Sequence, residues 1–312
     1  MSNHPLVSVV MVVYNTERYI ARAIESIQNQ SLADFEFLIL DDGSTDRSLQ
    51  IIQSYTAQDN RIQVFYQTNQ GIPKSRNRLL DQAIGEFIAV LDSDDVALPH
   101  RLLCQLEFLQ QHPEVACVGS SYQIIDAAGR LVLSRYPVPE SNDDIQTNLL
   151  AGYGGMHQPC VMFRRELAIA VGKYDETMLV CEDLDLWLRL GEQGQLINLH
   201  EPLTQYRVHN RSISSKQQHL EQEKSREACE RAWQRRGIQG TFKATGYWRM
   251  QKDRQSQQEF FQRYGWWAFN SRQRTTSIFY GLRALWINPA NWQSWKLLVC
   301  ALIKPMPSED FQ

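Results

Sequence analysis

The chain has 312 residues, 43% apolar and 21% charged, which is ordinary for a soluble globular protein and enough for one large domain with or without an appendage. Its formal net charge of −3 conceals an asymmetry. Residues 1–214 hold 16 Lys and Arg against 27 Asp and Glu (−11), and residues 215–312 hold 16 against 8 (+8), with seven of the eight tryptophans in the second part. This argues for two regions, 1–214 and 215–312, with a boundary near the polar stretch 212–218. Leu297–Ile303, the longest late apolar run, falls far short of the ~20 residues of a membrane span. No basic segment followed by an apolar one marks the start, so no export signal is expected. Six cysteines stand singly in apolar surroundings without a CxxC pair and read as free thiols in a reducing cytoplasm.

"VSVVMVVYN" (Val7–Asn15) is an apolar run ending in polar residues, as a strand buried on both faces would be. Tyr19, Ile20, Ala23, Ile24 and Ile27 then form one helical stripe. "FEFLILDDGSTD" repeats the arrangement, a strand over Phe35–Leu40 and an acidic turn. Helix is predicted for Ser48–Tyr55, strand for "IQVFYQ", helix for Pro73–Ala83 and strand for Glu86–Leu91. Pro99–Gln111 reads as a helix with proline near its start, and Val115–Gly119 as a strand. The alternation predicts an α/β fold, a mostly parallel twisted sheet flanked by helices.

In such sheets ligands bind beyond the carboxyl ends of the strands. Three polar clusters fall there: Tyr14-Asn15, Asp41-Asp42-Gly43-Ser44 and Asp92-Ser93-Asp94-Asp95. Neither GxGxxG nor GxxxxGK[ST] occurs, so phosphates are not held by a glycine cradle. A divalent cation on the carboxylates would serve, since Mg2+ and Mn2+ prefer oxygen ligands and take protein carboxylates together with phosphates. If the acidic stretch is extended, Asp92 and Asp94 face one side and Asp95 the other.

Four blocks, "VSVVMVVYNTERYIARAIESIQNQS", "DFEFLILDDGSTDRS", "GIPKSRNRLLDQAIGEFIAVLDSDD" and "EDLDLWLRL", resemble those of family 2 glycosyltransferases with the GT-A fold, in order and spacing over about residues 5–214. Val12 departs from the pattern, which usually has proline there. The resemblance implies inverting transfer of one sugar from a nucleoside diphosphate sugar to an acceptor hydroxyl. Asp92-Ser93-Asp94 matches the DxD element, with Asp94 on the metal (Mn2+ or Mg2+), Asp92 on the metal or donor ribose, and Ser93 beside the donor. Val12, Tyr14 and Glu17 border the nucleotide, Asp42 accepts from the base N–H, and Arg76 lies against the nucleotide. A carboxylate suits an imide N–H, which favours uridine or thymidine donors. Asp183 is implied as the base and Glu182 is its runner-up. His209 is a candidate third metal ligand, and Arg207 and Arg211 are candidates to counter the diphosphate. His157 is a candidate acceptor-side contact.

The processive synthases of the family carry QxxRW and membrane spans, whereas this chain has neither. Single addition to a saccharide or lipid-linked acceptor in surface polysaccharide synthesis is therefore expected. The remainder reads as a C-terminal helical appendage: helices over 216–236, 275–286 and 292–303 and an aromatic-rich stretch around Phe260–Phe269. Trp with Lys and Arg suits either packing onto the catalytic domain or an anionic membrane surface, giving a cytoplasmic protein peripheral to the inner face of the membrane. A nucleic-acid partner is not expected. A nucleotidyltransferase, lacking here its glycine- and lysine-rich loop, and a non-catalytic nucleotide-sugar binder are the alternatives.

Overall fold

The computed structural model describes residues 4–209, 218–244 and 253–307. In chain order the elements are β1 (Val7–Val13), α1 (Ile20–Gln28), β2 (Phe35–Asp41), α2 (Ser48–Thr56), β3 (Ile62–Tyr66), α3 (Ile72–Gln82), β4 (Phe87–Val90), β5 (Val96–Ala97), α4 (Arg101–Gln111) and β6 (Val115–Asp126). They continue with β7 (Leu131–Tyr136), α5 (Asn142–Leu150), a 3-10 turn at Gln158–Cys160, β8 (Met162–Arg164), α6 (Arg165–Ala170), α7 (Glu182–Leu190) and β9 (Gln195–Val208). Helices α8 (Gln218–Arg236), α9 (Arg254–Asn270), α10 (Arg274–Ile287) and α11 (Trp292–Ile303) follow.

Among the described residues the strands form one sheet in the order β3-β2-β1-β4-β8-β6-β9-β5, with β7 paired to β6. The first four strands are parallel, as their apolar runs predict. Beyond β4 the pairings β4–β8, β6–β8, β6–β7 and β5–β9 are antiparallel. The chain moves outward from β1 through β2 to β3 and then returns to place β4 on the other side of β1. That reversal opens a crevice between the carboxyl ends of β1 and β4, where Tyr14 and Asp92 emerge.

The α1 stripe forms as expected, with Ile20, Ala23, Ile24 and Ile27 fully buried against Met11, Val13, Phe37 and Ile39. Each such isoleucine contributes about 1.5–3 kcal/mol. Near the amino ends of β1 and β2 Ser8 donates to Glu36, while the Ile84 and Gly85 N–H groups donate to Glu36 Oε1 and Ser8 Oγ at 2.8 Å each. Gly85 must be glycine here, because a Cβ would lie 2.6 Å from the Ser8 nitrogen.

The chain divides into two compact units: Met1–Ser121, Pro137–Gln205 and Gln217–Gly246, then Tyr122–Tyr136, Tyr206–Lys216 and Tyr247–Gln312. They part elsewhere than at the expected 214/215 boundary. Helix α8 belongs with the first unit because Ala228, Cys229 and Ala232 are buried there and the Trp233 Nε1–H donates to the Leu150 carbonyl at 3.1 Å. In the second unit β7 and α11 pack on α9 and α10, and Tyr280 of α10 lies against the rings of Phe260, Phe261 and Tyr264 of α9 while its hydroxyl donates to Asp126 Oδ2 at 2.9 Å. All six cysteines are free.

Candidate active site

Residues after β1 and β2 are latched together at the crevice. The Asp42 N–H continues the ladder to the Val13 carbonyl at 2.8 Å, so Asp42 lies beside Tyr14. Asn15 takes a left-handed conformation (φ 54°), which an asparagine tolerates, and its Oδ1 accepts from the Thr45 N–H at 2.8 Å. Glu17 accepts from the Arg47 N–H and Nε–H at 3.1 and 3.2 Å, an exposed pair worth about 0–1 kcal/mol. Tyr14 is exposed, and Val12 is half-buried within the β1 ladder opposite Leu40.

Asp42 is buried and already well used. Its Oδ1 accepts from Gln67 Nε2 at 2.8 Å and the Gln70 N–H at 2.9 Å, and its Oδ2 accepts from the Gly71 N–H at 3.0 Å. A carboxylate offers about four acceptor positions, so about one remains open. Asp41 makes the neighbouring turn, accepting from the Gly43 and Ser44 N–H groups at 3.1 and 2.9 Å. Gly43 sits at φ 80°, and a Cβ there would meet the Asn69 nitrogen at 2.8 Å.

The acidic stretch after β4 is a turn, not the extended segment expected, with the Asp95 N–H donating to the Asp92 carbonyl at 3.1 Å. The alternation survives: Asp92 and Asp94 are half-buried while Ser93 and Asp95 are buried. Asp92 is pushed above the ordinary carboxylate range by burial, against the pull of Arg76, and the Asp94 charge adds to the rise.

Arg76, from α3, is the centre of the cluster. It is buried, donates to Glu182 through Nη1 and to Asp92 Oδ1 through Nη2 at 3.1 Å, and lies 5.5 Å from the centre of the Tyr174 ring. Burial alone would lower its pKa, but Glu182 and Asp92 outweigh that and raise it. Burial also lifts Glu182 to about 7, with Arg76 opposing and Asp183 and Asp92 adding to the rise.

Glu182 and Asp183 open α7. The preceding Cys181 is forced to φ 60°, a left-handed conformation costly for a residue with a Cβ, and its Sγ lies 3.1 Å from Ser225 Oγ of α8. Asp183 is half-buried, with Oδ1 accepting from the Leu184 N–H at 2.8 Å. Arg76 feels Asp183 and so does Asp92, which places the α7 start, the α3 cation and the acidic turn in one electrostatic cluster.

The remaining expected members lie on other segments of the chain. His157 is half-buried in the loop before the 3-10 turn, and burial lowers its pKa to about 4, so it is neutral. His209 follows directly on β9 and belongs to the second unit. Arg207, in the same unit, is buried and donates to the Asp126 carbonyl at 3.2 Å, while Arg211 lies outside the described residues. Arg101 belongs to none of the sequence motifs. It is wholly buried, donates to the Val90 and Val161 carbonyls at 2.6 and 3.1 Å, and is held down to about 10 by burial, with Asp95 and Asp92 among the groups opposing. Its signal was a polar pair, Arg101 and Gln105, one turn apart among Leu102, Leu106 and Leu109.

No group of three or more His, Cys, Asp or Glu side chains able to hold a metal occurs among the described residues. Two half-buried carboxylates, Asp92 and Asp94, with the Asp94 charge adding to the rise at Asp92, nevertheless fit a hard divalent cation whose other ligands are phosphate oxygens and water.

A mixed α/β sheet with an acidic turn at its switch point is the GT-A arrangement of nucleotide-sugar-dependent glycosyltransferases. The model of glycosyl transferase family 2 matches residues 8–172, just over half of the chain, which therefore belongs to that family and is a glycosyltransferase. It is 34% identical over 212 residues to an uncharacterized glycosyltransferase of Methanocaldococcus jannaschii, covering 66% of this chain and 72% of that one. Chondroitin synthase of Escherichia coli is 30% identical over 237 residues, 75% of this chain but 33% of that protein. Among solved structures, S. aureus TarS with UDP-GlcNAc superposes with a TM-score of 0.55 at 19% identity, covering 95% of this chain and 79% of that one. The Pyrobaculum calidifontis mannosyltransferase with GDP-Man and Mn2+ gives 0.57 at 15%, covering 97% and 77%.

Proposed function

We propose that the protein is an inverting, divalent-metal-dependent glycosyltransferase that moves one sugar from a uridine or thymidine diphosphate sugar to a hydroxyl of a saccharide or lipid-linked saccharide. The observation carrying this reading is the cluster in which Arg76 joins the acidic turn of Asp92 and Asp94 to the α7 start with Asp183. Asp94 and Asp92 would hold the cation, Mg2+ or Mn2+, whose charge supports the departing diphosphate.

The other steps belong to the chain. Tyr14 and Val12 border the base, and the open acceptor position of Asp42 receives its imide N–H. Asp183 takes the acceptor proton as that oxygen bonds to the anomeric carbon, and the bond from that carbon to the diphosphate oxygen breaks on the opposite face. Glu182 is ion-paired to buried Arg76 and serves to hold it. His157 on the acceptor side and His209 as a further metal ligand remain part of the proposal.

Relatives whose names specify a product, chondroitin synthase and a putative teichuronic acid biosynthesis glycosyltransferase, support surface polysaccharide synthesis; a place at the cytoplasmic face of the membrane is part of the same proposal. The testing experiment is a panel of nucleoside diphosphate sugars scored by nucleoside diphosphate release, with and without Mn2+. Release from uridine or thymidine donors only, dependent on metal, is expected. A purine donor preferred by tenfold, or full release in chelator, overturns the corresponding part.

A further inference from the structure

Residues 260–307 hold six Lys and Arg and no Asp or Glu. Within that stretch α11 presents two sides. Leu297, Leu298, Cys300 and Ala301 are buried, whereas Trp292, Trp295, Val299, Leu302 and Ile303 are exposed, recurring at helical spacing along one stripe. Trp286, at the end of α10, is 85% exposed, and Leu282 is exposed one turn before it. Trp292 is 67% and Ile303 76% exposed, and Arg283 of α10, Lys296 of α11 and Lys304 just after it are exposed as well. Trp295 has its Nε1–H satisfied by the Pro289 carbonyl at 2.8 Å, which leaves the apolar part of its ring to make the outward contact. Other aromatic residues of this unit, Tyr264, Phe269 and Tyr280, are buried in its interior, so packing accounts for them and not for this stripe.

We infer that the stripe Trp292, Trp295, Val299, Leu302 and Ile303, together with Trp286 at the end of α10, docks on the surface of an anionic phospholipid bilayer. Tryptophan rings and aliphatic side chains enter the headgroup boundary while Arg283, Lys296 and Lys304 meet the phosphates. At 12 residues α11 is too short to span, and no described helix is long and apolar enough to cross a membrane, so the helix lies in the plane of the surface. The complete absence of acidic residues over 260–307 favours a negatively charged partner of this kind over a second copy of the same face, which would oppose like charges.

The inference rests on the proposed function only for the bilayer as the acceptor's location, and its test involves no sugar transfer, so either can fail alone. The full chain is sedimented with phosphatidylcholine vesicles and with vesicles also containing phosphatidylglycerol. Binding to the anionic vesicles alone, weakened by salt, is expected, with the double variant Trp292→Ser/Trp295→Ser losing on the order of tenfold or more in partitioning. Lys296→Glu/Lys304→Glu should lose comparably, and both variants should keep wild-type melting and UDP binding. Equal sedimentation with neutral vesicles, no vesicle binding, or unchanged binding of the tryptophan variant overturns the inference. So does a concentration-dependent dimer that the tryptophan variant dissolves without any binding to lipid.

Discussion

Arg76 and Glu182 form a buried ion pair across 106 residues of sequence, so the first carboxylate of the α7 start is engaged by α3. The same guanidinium reaches Asp92 at 3.1 Å. Two adjacent carboxylates, Glu182 and Asp183, thus have different surroundings: one is buried against a cation and the other is half-buried at the cluster's edge.

Removing the cation should therefore be a structural injury. Arg76→Met leaves Glu182 and Asp92 uncompensated, and breaking a buried pair costs about 3–5 kcal/mol. Arg76→Lys should fall between, since one ammonium cannot reach both carboxylates as a planar fork does. Urea unfolding of both variants measures this. A methionine variant as stable as wild type would show that the pair does not hold the fold.

The acidic turn should bind nucleotide only with its cation. Asp94→Asn is expected to abolish the gain in UDP affinity that Mn2+ confers, while UDP binding in chelator stays at the wild-type level, because Tyr14 and Asp42 are untouched. Calorimetry with and without Mn2+ reads both quantities. Undiminished Mn2+ enhancement in the variant would move the metal away from this turn.

Asp42→Asn should act on loop and ligand together. One carboxylate oxygen becomes an N–H donor facing the donors of Gln67, Gln70 or Gly71, at a cost of about 1–3 kcal/mol for the unsatisfied group. UDP affinity should fall at least tenfold, with discrimination against GDP reduced. Unchanged UDP affinity in a destabilised variant would leave Asp42 only its loop-holding role.

The parallel half of the sheet and the α1 stripe are legible in the sequence because their runs are long and their periodicity is regular. The antiparallel half is harder to read: β5 has two residues and β8 three, too few for any period to show. Buried cations break the pattern in the opposite way. Ser75, Arg76 and Asn77 are buried consecutively in α3, and Arg101 is buried beside Leu102 in α4, where side-chain type alone suggests solvent. Their partners lie on distant segments, Glu182 for Arg76 and the carbonyls of β4 and Val161 for Arg101, so the contacts that explain them exist only once the fold is formed. The polar clusters at the strand ends could be named because each stands beside its own strand.

His157 should make stability depend on pH in a defined window. Its folded pKa of about 4 lies below the unfolded value of about 6.5. Between them the unfolded chain binds more protons, so this stabilisation is complete above pH 6.5 and declines as pH falls toward 4. The full shift discounted for partial exposure corresponds to about 1–3 kcal/mol. His157→Gln should flatten the fall in the urea midpoint between pH 6.5 and 4 relative to wild type. Parallel curves would show that the ring is as protonatable in the folded protein as in water.

The decisive comparison is between Asp183 and Glu182. Asp183→Asn keeps the size of the side chain and retains an oxygen able to accept from the Leu184 N–H. It cannot take the acceptor proton. Loss of a general base lowers the rate by on the order of 10²–10⁴, about 3–5 kcal/mol of barrier, with UDP affinity and melting near wild type. Glu182→Gln should show the opposite profile: a lowered urea midpoint, because a neutral amide no longer balances Arg76, with a smaller loss of rate among molecules that fold. Rates at saturating donor and acceptor, UDP affinity and unfolding are measured for both variants. Wild-type turnover by Asp183→Asn excludes it as the base. A rate loss greater for Glu182→Gln than for Asp183→Asn, at equal stability, would transfer that role to Glu182 and make Asp183 the positioning group.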